Sequence, residues 1–183
     1  MPGIQIVGTG NNRAVDVNDF GKLKTVSVAI EPEYCNNLTF GSAFQLQSTV
    51  TPSPSADFLY IKNESDYSLI LENIFISCDS REDIWIYRNP SGTPTDTTNI
   101  TPVNTNFGSS KQANGTFVYG EDIGGLSGGT LFNTLPCYAD TNNAFKFRNW
   151  IIMPKNSTIS FNARNGNIEL DISIPFFFME GDI

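Results

Sequence analysis

The sequence of 183 residues contains no histidine. This absence removes the usual general base near neutral pH, the imidazole metal ligand and every Ser-His-Asp arrangement. The sequence also lacks a Cys-x-x-Cys pair, a phosphate-binding loop and a dinucleotide fingerprint. A pair of carboxylates is the enzymatic route that remains. We therefore expect a protein that is not an enzyme, with no catalytic residues, no cofactor and no metal site.

Charged residues make up only 16% of the chain, and the formal net charge is −8. A bare phosphate backbone would be repelled, so we expect no direct binding to nucleic acid. No run reaches the ~20 apolar residues of a membrane-spanning helix. The first residues also lack the pattern of a secretory signal, so we expect no membrane partner and synthesis in a cytoplasm. The 3 cysteines are widely separated, which favours reduced thiols over a disulfide framework.

Residues that favour helices are scarce, whereas Asn, Thr, Ser and Phe are abundant, and this bias favours strands joined by turns. From about residue 39 onward, short alternating runs are separated by turn residues, which is typical of a sandwich rather than of βαβ units. We expect an all-β protein with an extended N-terminal arm at 1–38 and an antiparallel β-sandwich at 39–183. A jelly roll is the preferred arrangement, and an immunoglobulin-like sandwich is the next.

Two local patterns give sharper predictions. The runs 158–163 and 168–174 alternate on either side of Asn165-Gly166, which predicts a β-hairpin closed by a type I′ turn. Between Leu71 and Ile74 the alternation changes phase, which predicts a bulge or a bend in that strand.

Carboxylates and aromatic residues suggest two alternative functions. A glycosidase needs two acids about 5–9 Å apart, and Glu82 and Glu121 are candidates, although charged turns explain both more simply. Trp85, Tyr87 and Trp150 are candidate glycan contacts because aromatic rings can stack on sugars. Aromatic residues on strands more often belong to a core or a subunit interface. The alternatives are therefore a carbohydrate-binding receptor-recognition head and, less favoured, a carboxylate-pair glycosidase.

The C-terminal run Phe176, Phe177 and Phe178 places three large apolar residues in succession, which is too many for one face of one strand. Some of these side chains must meet another surface, either the N-terminal arm or a neighbouring subunit. We take the three residues as a candidate assembly surface. A homo-oligomer is expected, with a trimer as the first choice.

Several segments, spread over most of the chain, carry a resemblance to a known group of proteins. They are NNRAVDV (11–17), GKLKTV (21–26), FLYIKN (58–63) with Asp66, Leu69 to Ile76, GTP (92–94), ITPVN (100–104) and WIIMPKN (150–156). Together they resemble jelly-roll structural proteins of tailed-phage virions, which occur as head decoration, head fibre or tail-associated components.

The resemblance implies a non-enzymatic virion structural protein of a bacteriophage, made in the host cytoplasm and then located in the virion. Its partners would be other virion proteins, such as capsid, portal or tail proteins. The arm at 1–38 would add strands to a capsid protein or to a neighbouring subunit, and the sandwich would complete the assembly.

Overall fold

The computed structural model describes residues 32–139 and 141–180, with side chains at all but 32–33, 35–36 and 148–150. These residues belong to the second of the two units into which the chain divides, Pro32–Ile183. They form one helix and thirteen strands. The elements are α1 (Pro32–Phe40), β1 (Ala43–Val50), β2 (Ala56–Asn63), β3 (Ser68–Cys78), β4 (Glu82–Arg88), β5 (Ser91–Thr95), β6 (Thr98–Asn99), β7 (Val103–Asn104), β8 (Gly115–Tyr119), β9 (Gly124–Ser127), β10 (Thr130–Cys137), β11 (Asn143–Met153), β12 (Thr158–Ala163) and β13 (Leu170–Met179).

Two antiparallel sheets face each other. The first has the strand order β11-β3-β13-β1-β7, and the second has the order β10-β4-β12-β2-β8-β6. A short ribbon of β5 and β9 stands apart from both. The predicted all-β antiparallel sandwich is confirmed.

The eight long strands pair in a nested way. In the first sheet β1 pairs with β13 and β3 pairs with β11. In the second sheet β2 pairs with β12 and β4 pairs with β10. The chain therefore runs as one long folded hairpin whose successive pairs alternate between the two sheets.

Side chains from the inner faces of both sheets form a single core. At its centre the Phe176 ring stacks on Phe44, with 5.5 Å between the ring centroids, and on Phe117, with 5.2 Å. Phe44 and Phe176 belong to the first sheet and Phe117 to the second, so this aromatic stack joins the two. Such ring pairs contribute about 0.5–1.5 kcal/mol each beyond the burial of their apolar area.

A second apolar cluster lies on the outer face of the first sheet. Ala43 is opposite Phe177, and Phe177 is opposite Ile70, so the three side chains lie in a row across β1, β13 and β3. The helix α1 packs against β13 and β1. Phe177 is consequently only 1% exposed.

The prediction that Phe176, Phe177 and Phe178 form an assembly surface is wrong, because the chain itself buries all three. Their exposed fractions are 1%, 1% and 4%. Successive side chains of a strand point to opposite faces. Phe176 and Phe178 therefore enter the main core, and Phe177 enters the outer cluster.

The extended arm predicted for 1–38 is wrong over residues 32–38, which are helical, and residues 1–31 lie outside the described residues. Proline is well suited to the first position of a helix, because its fixed φ fits and its missing N–H is not needed there. Gly41 ends the helix with φ +61°, and its N–H donates to the carbonyl of Asn37. This left-handed residue is a common helix terminator.

The predicted hairpin around Asn165-Gly166 is also wrong. The strands β12 and β13 lie in different sheets, so the segment between them crosses the sandwich instead of joining paired neighbours. The backbone N–H of Gly166 donates to Glu82, and that of Asn167 donates to the carbonyl of Pro52. The predicted phase change between Leu71 and Ile74 is confirmed, because the register of β3 against β13 shifts there and both side chains are buried.

Candidate functional site

Two of the three candidate glycan contacts, Trp85 and Tyr87, lie on the outer face of the second sheet. Trp85 and Tyr87 alternate with core residues along β4, and both are half-buried. The guanidinium of Arg164 lies 5.7 Å from the centroid of the Trp85 ring and covers part of it. Trp150 lies on β11, and its side chain is outside the described ones. The two described aromatic residues therefore do not form an exposed stacking platform.

Glu82, a candidate catalytic acid, is fully buried. Its Oε1 accepts hydrogen bonds from the backbone N–H of Asp83 at 2.9 Å and of Asn165 at 2.8 Å. Its Oε2 accepts from the N–H of Gly166 at 2.8 Å. A carboxylate that accepts several backbone N–H groups is well stabilised in its place. Glu82 thus holds the connection between β12 and β13 instead of facing a groove.

Glu121, the other candidate acid, lies at the opposite edge of the second sheet, just beyond β8. It borders a cleft of about 720 Å³ that is also lined by three further carboxylates, all exposed: Asp96, Asp122 and Glu169. None of the ion pairs in the described part of the chain involves these four acids. Among the described residues, no three acidic, cysteine or histidine side chains are grouped so that they could hold a metal ion.

Two buried thiols lie at the same end of the sandwich as Glu82. Cys78 ends β3 and Cys137 ends β10, and both are reduced thiols, as the sequence predicted. Burial, together with the neighbouring Cys78 and Glu82, raises the pKa of the Cys137 thiol to about 12. A thiol with so high a pKa is almost never the reactive thiolate. The side chain of Cys35 lies outside the described ones.

One open edge of the sandwich is apolar and basic. It is formed by β10 and β11, the end strands of the two sheets, which are joined by a short connection. Leu131, Phe132 and Ile152 are exposed there at 51%, 48% and 57%. Arg88 and Lys146 are also exposed. We call these five residues the basic edge.

The basic edge contains a groove of about 410 Å³ between the two sheets. Phe132, Ile152, Arg88 and Pro154 are among its lining residues. The ring of Phe132 lies against that of Phe147, with 6.3 Å between the centroids. The pairing of β10 shifts register beside Phe132, and β11 shifts register beyond Lys146. Such irregularities twist a sheet edge and expose side chains that regular alternation would bury.

The opposite edge of the sandwich is apolar and acidic. Val103 of the short strand β7 is 62% exposed, and Phe107, three residues after that strand, is 95% exposed. They line a cleft of about 390 Å³ together with Gln45 and Gln47 of β1. Three acids of the large cleft, Asp96, Glu121 and Asp122, lie at one end of this edge, whereas Glu169 precedes the central strand β13. We call Asp96, Val103, Phe107, Glu121 and Asp122 the acidic edge.

The sequence analysis identified neither edge as apolar. A usable signal was present at 131–132 and at 151–152, where two apolar residues follow each other and one must face away from the core. Val103 and Phe107 gave no such signal, because they lie in a polar segment and their exposure depends on how that segment folds over β1.

No helix in the described part of the chain is long and apolar enough to cross a membrane. No protein-family model, no curated protein sequence and no solved structure matches this chain.

Proposed function

We propose that this chain is a non-enzymatic structural component of a virus particle, a capsid decoration or fibre component that forms a homo-oligomer. The observation that carries the proposal is the basic edge. Leu131, Phe132 and Ile152 are large apolar side chains, and each is about half exposed. They lie on β10 and β11, the outermost strands of the two described sheets, which have no further strand beside them on this side. Exposed sheet edges of this kind favour association with another chain.

Burial of the apolar groups at this edge would supply part of the free energy that assembly needs. Complete burial of one such side chain contributes about 1.5–3 kcal/mol, so burial of the exposed halves of three contributes roughly 2–4 kcal/mol. Apolar contacts at the opposite edge would add to this. Association also costs translational and rotational freedom, so a stable oligomer needs several such contacts at once.

We infer that the sandwich is a jelly roll. The nested pairing of eight strands, alternating between the two sheets, supports this inference. Double-sheet jelly rolls are frequent in viral capsid proteins, which agrees with the resemblance to phage virion proteins. The fold also occurs in lectins, and the half-buried Trp85 and Tyr87 are the observation that makes us prefer the structural function.

The first test is the native mass of the recombinant full chain, measured by size-exclusion chromatography with light scattering. We expect a multiple of the chain mass of 20.1 kDa, and a trimer is the first choice. The double variant Phe132→Ser, Ile152→Ser should be a monomer. The control is Tyr67→Ser, because Tyr67 is 47% exposed but lies in the connection between β2 and β3.

A monomeric wild-type chain at high micromolar concentration would overturn the assembly part of the proposal. An unchanged mass of the double variant would show that the basic edge does not carry it. The virion part has a separate test, which is mass spectrometry of purified particles released by cells that carry the gene. Particles that lack the chain would contradict it.

A further inference from the structure

We propose that the thiols of Cys78 and Cys137 form a disulfide between the two sheets when the protein leaves a reducing compartment. Cys78 ends β3 of the first sheet, and Cys137 ends β10 of the second. A protein made in a cytoplasm keeps its thiols reduced there and meets oxidising conditions outside the cell. This disulfide lies within one chain, so it goes beyond the proposed function and does not depend on the oligomer.

Both thiols point into the core from facing sheets. Cys78 follows the buried Ile76 by two positions, so the two side chains lie on the same face of β3. Cys137 follows the buried Leu135 in the same way on β10. Both cysteines belong to the single core cluster. Side chains from the inner faces of two packed sheets interdigitate, so these two can meet.

The amide of one side chain ties the two strand ends together. Nδ2 of Asn143 donates to the carbonyl oxygen of Ile76 at 3.2 Å and to that of Tyr138 at 3.1 Å. Its Oδ1 accepts from the backbone N–H of Tyr138 at 3.1 Å. Ile76 lies two residues before Cys78, and Tyr138 directly follows Cys137. The strand ends that carry the thiols are therefore held close to each other.

The two thiols are in direct contact. The side chains of Cys78 and Cys137 are hydrogen-bonded to each other, so their sulfur atoms already lie at hydrogen-bond distance. Disulfide formation needs Cβ atoms about 3.5–4.5 Å apart. Thiols in contact on facing strand ends can reach this geometry by rotation of the side chains and a small shift of the ends.

A cleft of about 230 Å³ gives access to one of the two thiols. Cys78 lines this cleft together with Ser77 and Asp79. Cys78 is 5% exposed, whereas Cys137 is fully buried. A small oxidant from solution therefore reaches Cys78 first.

The oxidant is a low-molecular-weight disulfide such as oxidised glutathione. The deprotonated Cys78 attacks one of its sulfur atoms, which forms a mixed disulfide and releases one glutathione thiolate. The deprotonated Cys137 then attacks the Cys78 sulfur and releases the second glutathione thiolate. The two released thiolates take up the two protons, so two protein thiols are oxidised and one glutathione disulfide is reduced. Because the pKa of Cys137 is about 12, the second step is slow at neutral pH.

The bond would join the two sheets covalently at the end of the sandwich that Glu82 also holds. It would close the loop 78–137, which is about 60 residues long, and a cross-link over a long loop stabilises the fold mainly by restricting the unfolded chain. We therefore expect a more stable protein after oxidation.

The first test treats the folded, fully reduced chain with oxidised glutathione, then unfolds it and alkylates the remaining thiols. The untreated chain should take up 3 alkyl groups, one for each cysteine. The treated chain should take up at most one, at Cys35, and a digest without reductant should contain a peptide that links Cys78 to Cys137. In Cys137→Ala the reaction should stop at a glutathione adduct of Cys78. The matched control Cys35→Ser should still form the link.

The second test is thermal unfolding of the same samples. Oxidation should raise the midpoint of wild type and of Cys35→Ser by about 5–15 °C, and a reductant should remove the gain. Cys137→Ala should show no such gain. If the folded chain forms no link between Cys78 and Cys137, or if the link does not raise the midpoint, the inference is wrong. Neither result bears on the native mass, so the proposed function is tested separately.

Discussion

Glu82 offers a quantitative test of how this fold is held together. Its fully buried carboxylate accepts three backbone N–H groups, from Asp83, Asn165 and Gly166. In Glu82→Ala these donors lose their acceptor, and a buried donor without a partner costs about 1–3 kcal/mol. Because Asp83 and Asn165 are partly accessible to water, we expect a total loss of about 3–5 kcal/mol in the free energy of unfolding. Glu82→Gln keeps one acceptor oxygen and should lose about 1–3 kcal/mol.

Urea unfolding at neutral pH, followed by tryptophan fluorescence, measures these differences. The matched control is Glu169→Gln, an exposed glutamate in the same connection between β12 and β13, which should change the free energy of unfolding by less than about 0.5 kcal/mol. The expected order of stability is wild type and control first, then Glu82→Gln, then Glu82→Ala. If Glu82→Gln is as stable as the control, the carboxylate does not fix this connection, and the reasoning is refuted.

Two further predictions concern buried groups. Phe177→Ala should lower the free energy of unfolding by about 3–5 kcal/mol, since it empties the outer cluster beneath α1, whereas Tyr67→Ala should stay near the wild type in the same urea titration. Desolvation by burial raises the pKa of Asp57, and the nearby Asp122 carboxylate raises it as well. Hydrogen bonds with Asn162 and Ser160 lower it, but the net shift is upward. Its folded-state pKa lies above the unfolded value, so its contribution to stability is present below the unfolded pKa and is lost as pH rises through the folded pKa. The free energy of unfolding of Asp57→Asn should lack this part of the pH dependence. If the variant and the wild type show the same dependence of unfolding free energy on pH, the raised pKa does not belong to Asp57.

The sequence predicted the architecture well where the alternation of apolar residues was regular. The inward positions of β3 and β13 were read correctly, including the bulge between Leu71 and Ile74. The Asn165-Gly166 signal was misleading, because a turn-forming pair specifies a reversal of the chain but not whether the next strand pairs with the previous one. Here Glu82, over eighty residues earlier in the chain, binds the turn, and no local pattern reveals such a partner.

The C-terminal phenylalanines illustrate a related limit. The prediction that some of these side chains meet a second surface is correct for Phe177, which enters the outer cluster. The alternation of residues along the strand could not identify what that surface is. The helix α1, which the sequence analysis read as part of an extended arm, packs against β13 where Phe177 is buried. The exposed apolar residues at the two edges were missed for the same reason, because exposure depends on which strands end each sheet.

The sequence by itself determined the all-β class, the absence of imidazole chemistry, the acidic surface and the inward-facing residues of most strands. These properties follow from composition and from the period-2 geometry of a strand, which are local. Only the tertiary structure decided the order of strands, the burial of Phe177 and Glu82, and the placement of apolar, basic and acidic groups at opposite edges. Those features depend on contacts between residues far apart in the chain, and the order in which strands pair is set by the packing of the whole sandwich.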